Sequence, residues 1–154
     1  MFVIFKDGEN SLMSMGKLTL GILSEIDNLS EGGASVGDIE RTEFTVTADV
    51  GYIDGALLLS YTTAENDVPT KTEIKMYADR AVVTRSGDVT SELVFIEGRT
   101  TSSVYRVGPY AFDAEVLATR IRNAMTEDGG RIDIFYRMNI GGAEKTVRMK
   151  IVSR

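Results

Sequence analysis

Turn residues recur along the whole sequence at the spacing of short strands, and no other feature restricts the fold as much. Asp7-Gly8, Gly32-Gly33, Asp54-Gly55, Ser86-Gly87, Glu97-Gly98, Asp128-Gly129-Gly130 and Gly141-Gly142 separate runs in which apolar and polar residues alternate. Glycine enters the positive-φ conformations that tight hairpin turns need. Strict alternation puts one set of side chains on a dry face and the other in water. The pattern predicts a meander of antiparallel strands, each with one face on a common core.

The alternation is clearest near the C-terminus. Ile132, Ile134, Tyr136, Met138 and Ile140 fall on one face, and Asp133, Phe135, Arg137 and Asn139 on the other. Val147, Met149 and Ile151 likewise oppose Arg148, Lys150 and Val152. Earlier runs behave alike, through Leu18, Leu20, Ile22 and Ile26, then Phe44, Val46, Ala48 and Val50, then Thr72, Ile74 and Met76. Strands are expected at 17–27, 38–53, 56–63, 70–77, 81–86, 90–97, 101–107, 111–122, 131–140 and 144–152, about ten in all. Ala111 to Met125 is rich in helix formers. Yet Phe112, Ala114, Val116 and Ala118 alternate with Asp113, Glu115, Leu117 and Thr119, which predicts a long strand with a bulge.

So many strands leave edges that invite aggregation unless they are closed off. The expected fold class is all-β, an antiparallel up-and-down closed β-barrel of about ten strands; a two-sheet β-sandwich shares the period-two pattern and is the alternative. A chain of 154 residues is enough for one closed core. Residues 1–15 read as an N-terminal extension or extra strand, and 16–154 as a single β-barrel domain.

Composition removes whole classes of function. The chain has no cysteine and no histidine, so thiolate chemistry, disulfides, acyl-transfer triads and imidazole metal ligation are unavailable. A reducing, cytoplasmic location is expected, with no enzyme activity, no cofactor and no metal. The net charge of -6 opposes nucleic-acid binding, although Arg137 to Arg154 is locally basic. Phe2-Val3-Ile4-Phe5 is far shorter than a membrane span and meets Lys6-Asp7 at once, so no membrane association is expected.

Leu59-Ser60-Tyr61, the run Val82-Val83-Thr84-Arg85-Ser86-Gly87, then Leu93-Val94-Phe95 and Gly98, carry a family likeness. It continues through Ser103-Val104-Tyr105, Gly108-Pro109-Tyr110 and Gly130-Arg131-Ile132-Asp133-Ile134-Phe135-Tyr136. In this order and spacing, the segment from Gly51 to Ile151 resembles the YwiB-like family of small bacterial proteins of unassigned function. The resemblance implies a lipocalin-like (calycin-type) barrel and brings no reaction or catalytic residue. The Gly51 to Tyr61 hairpin is shorter than in that family, and residues 1–15 have no counterpart there.

Tyr61, Arg85, Tyr105 and Tyr136 form the candidate binding set: Tyr136 by its place on the apolar face, the others by their place in the family motifs. A barrel interior mixing apolar surface with a few convergent polar groups is the usual form of a small-ligand site. The expected function is non-enzymatic binding of a small apolar or amphipathic ligand inside the barrel. The alternative is a structural or protein-interaction barrel whose interior is filled by side chains, with the hydroxyls satisfying one another. Arg85 is expected near the Gly87 turn, either reaching into water or anchoring a carboxylate. Glu65-Asn66-Asp67 and Glu127-Asp128 lack calcium-loop spacing and read as solvated turns. Phe135 and Val152 on the last hairpin are candidates for a shared partner surface, leaving monomer or homodimer open.

Overall fold

The structure is a computed structural model that describes residues 3–7, 10–30, 32–65 and 68–154, with side chains from Gly16 onward except at 31, 36, 38 and 65–67. It contains β1 (Val3–Asp7), β2 (Asn10–Leu29), β3 (Ser35–Ile53), β4 (Ala56–Glu65), β5 (Val68–Met76) and β6 (Ala81–Ser86). β7 (Val89–Phe95), β8 (Thr100–Val107), β9 (Tyr110–Thr126), β10 (Gly129–Ile140) and β11 (Ala143–Ser153) complete it. Each strand from β2 to β11 pairs antiparallel with its successor, and β11 pairs back onto β2. The result is a closed ten-stranded up-and-down barrel, with β1 added outside the ring along Asn10 to Ser14 of β2. No helix occurs among the described residues.

The inward face is the apolar face of each alternating run. Leu20, Leu59, Ile74, Ile132, Ile134 and Ile151 are fully buried. The outer face carries charge, with ion pairs such as Lys17–Asp49 at 3.6 Å and Lys71–Glu73 at 3.6 Å. That is the reverse of a transmembrane barrel, whose outer band is apolar.

Two elements differ from the sequence expectation. The first barrel strand begins at Asn10 rather than at 17, because its first residues pair with β1 and its later ones, from Leu20, with β11. A register shift between Ser14 and Gly16 interrupts the alternation there and hides the strand's start. Asp133, assigned to the wet face of β10, is only 7% exposed. Arg131, two residues away on the same face, holds its carboxylate through Nε at 3.0 Å.

The hairpin turns after β2, β4, β6, β8 and β10 gather at one end of the barrel. At this end the wall parts. β3 and β4 pair only through Asp49–Ile53 and Ala56–Ser60, so Tyr61 and the residues beyond it diverge from the first half of β3.

Candidate ligand site at the open end of the barrel

Strand register stacks the inward side chains in layers. Leu59, Ile74, Val83 and Leu93 are direct cross-strand partners on β4 to β7 and form one apolar layer, buried throughout. One step towards the open end, the next inward layer is Tyr61, Thr72, Arg85, Ser91 and Tyr105, again each the direct partner of the next across five strands. Directly opposed side chains lie within about 5.5 Å at Cβ, so this layer is a continuous row of hydroxyls, phenols and one guanidinium. Tyr61, Thr72 and Ser91 are buried, Tyr105 is half-buried, and Arg85 at the strand end is exposed.

The facing wall is more apolar. Tyr136 of β10 is paired between Val147 and Ala118, and Ile26 of β2 pairs with Val147. The Tyr136 ring packs on Phe95 with centroids 4.6 Å apart, and Phe44 meets Tyr61 edge-on at 6.4 Å. Two adjoining cavities lie between the walls. The deeper, about 120 Å³, is bounded by Val83, Leu93, Phe95, Tyr136, Met138 and Met149 among others. The outer, about 220 Å³, is bounded by Phe44, Tyr61 and the threonines 42, 63, 70 and 72. Ser24, Ile26 and Arg85 line both, so Arg85 stands where the two meet.

The Tyr61 and Tyr136 phenols are neutral donors. Burial pushes Tyr136 up to about 12, with the Arg85 charge opposing and Tyr105 adding to the rise. Burial also raises Tyr61, against the pull of Arg85 and the neighbouring Thr72 hydroxyl. Arg85 is thus electrostatically in touch with both tyrosines.

The structure brings all four sequence-derived candidates to this one end: Tyr61 and Arg85 at the outer cavity, Arg85, Tyr105 and Tyr136 at the deeper one. Thr72, Ser91, Phe95 and Lys145 were not singled out from the sequence. The signal for Lys145 was present, since it lies two residues before inward Val147 and so on the inward side of β11.

Other candidates lie elsewhere. Glu127 accepts a hydrogen bond from the Tyr52 hydroxyl, a contact that also lowers the Glu127 carboxyl. Asn66, Asp67 and the Glu65 side chain fall outside the described residues. Phe135 and Val152 do not form a shared patch: Phe135 is opposite Arg148, whose guanidinium lies 5.6 Å from its ring, and Val152 is opposite Arg131. The Asp133–Lys150 pair separates them, because the two apolar residues sit four ladder steps apart rather than side by side.

Residues 29–151 match the model of a domain of unknown function, DUF1934. The chain is 27% identical over 109 residues to the uncharacterized beta-barrel protein YwiB of Bacillus subtilis (strain 168), covering 71% of this chain and 77% of that protein. It also superposes on the crystal structure of the ywiB protein from Bacillus subtilis with a TM-score of 0.72 at 20% identity, over 92% of this chain and 95% of the other.

Proposed function

The chain belongs to the YwiB-like DUF1934 family of β-barrel proteins of unknown function, and from the open end of its barrel we propose that it binds a small amphipathic molecule and performs no chemistry on it. The layer order carries the reading. An apolar cavity floor lies directly beneath a row of hydroxyls and one guanidinium, so an amphiphile entering tail first meets matching surface at both ends. A barrel wider than about eight strands also has more interior than side chains readily fill.

The groups present favour binding over chemistry. The sequence has no histidine or cysteine, the usual groups for proton transfer or thiolate chemistry near neutral pH, and burial holds Tyr136 up to about 12. Titration with 1-butanol and 1-hexanol, followed by methyl NMR, tests the reading. Saturable shifts are expected at Val83, Leu93, Met138, Val147 and Met149, with Val152 and Ile39 on the outside unmoved. A side-chain-filled interior gives no saturable shift at those methyls, and that result overturns the proposal.

A further inference from the structure

Resting on the binding reading above, we infer that the ligand's polar end is a carboxylate, held by Arg85 and Lys145. Both cations line the deeper cavity, and no Asp or Glu lines it with them. Among the described residues neither has an ion-pair partner, although the protein as a whole carries a net charge of -6. The carboxylate next to Lys145 in sequence, Glu144, is engaged by Arg137 on the outer side instead. Two cations thus face the deeper cavity of an acidic protein with no carboxylate lining it; Asp88 borders the outer cavity on the far side of Arg85 and forms no ion pair with it.

The remaining groups suit an anion. Neutral phenols at Tyr61 and Tyr136 and hydroxyls at Ser24 and Ser91 donate hydrogen bonds, which a partly desolvated anion requires. Arg85 presents a planar fork that matches a carboxylate's two oxygens. The row that surrounds Arg85 consists of strand side chains, whose backbone amides are spent on cross-strand pairing, and so lacks the cradle of free amides typical of phosphate sites. Size limits the tail: a cavity of about 150 Å³ accepts benzene, and the deeper cavity is about 120 Å³. The ligand class is therefore a carboxylic acid with a short chain or a single small ring.

Calorimetric titration of two matched pairs tests this: phenylacetate against phenylacetamide, and hexanoate against hexanamide. Each pair keeps its shape while the anionic carboxylate, with two acceptor oxygens, becomes a neutral amide with one acceptor oxygen and an NH2 donor. The acids are expected to bind at least about tenfold tighter than the amides, the scale of a charge-assisted hydrogen bond. Arg85→Gln is expected to remove about that factor for the acids and leave the amides within about twofold, and Lys145→Gln to act the same way more weakly. Arg85 is exposed at a strand end, so its replacement leaves the core intact. Equal affinity for acid and amide, or an acid preference unmoved by Arg85→Gln, overturns the anion inference while the cavity reading stands. No binding by any of the four compounds overturns both.

Discussion

Tyr136 joins the packing of the barrel to its candidate site, with one face of its ring on Phe95 and its hydroxyl within reach of the Arg85 field. Its titration carries a stability signature. Below pH about 10 the phenol is protonated in both the folded and the unfolded chain, and no pH dependence arises from it. Between about 10 and about 12 only the unfolded chain releases the proton, so the folded state is progressively destabilised as pH rises. The loss across that window is ~2 to 3 kcal/mol. Tyr136→Phe removes it, so urea midpoints measured from pH 9 to 12 should fall less steeply in the variant. Parallel slopes for the two proteins would show that this phenol is not buried. The inward placement of Tyr136 was legible from Ile132, Ile134 and Met138 around it. The layer that Arg85 shares with Tyr61, Thr72, Ser91 and Tyr105 was not: alternation assigns a face, whereas the depth of a residue along the barrel depends on which partners its strand meets.

In the hairpin of β9 and β10, β9 is the strand in which helix competes in the sequence, and its geometry shows a bulge. From Ala114 to Ala118 the even-numbered residues of β9 are buried in the core. The register then shifts, so that Phe135 pairs with Arg120 and Tyr136 with Ala118, leaving Thr119 as the extra residue. Its hydroxyl donates to the Phe135 carbonyl at 3.0 Å. Beyond it the inward set becomes Ile121 and Met125, which pack on the core. The helix formers of Ala111 to Met125 make the segment ambiguous in sequence, while the alternation predicts the bulged strand that the register shift shows. The same hairpin depends on Gly130, whose φ of +140° is unfavourable for any side chain. A Cβ there would also collide with the carbonyl oxygen of Ala124 across the ladder. Gly130→Ala is expected to cost at least ~2 kcal/mol, read from the denaturant midpoint at constant m-value. A cost below ~0.5 kcal/mol, the range of ordinary surface changes, would mean that the hairpin does not close as described.

At the scale of the whole molecule, the ten strands close into a ring whose wall parts between β3 and β4 at the open end and between β7 and β8 beyond Ser91 and Tyr105, and the outer cavity lies against the first of these partings. The closed barrel was legible from turn spacing and alternation. Which end opens was not, because it depends on where neighbouring long strands stop pairing, and hydrophobic patterning is blind to that. Everything proposed for this protein requires the space beneath the polar row to be empty and reachable. Xenon measures that directly, since it enters apolar cavities without needing a polar partner. Methyl spectra recorded under increasing xenon pressure should show saturable shifts at Val83, Leu93, Val147 and Met149, which line the deeper cavity. Unchanged resonances at those four residues would contradict it and would mean a barrel packed solid with its own side chains.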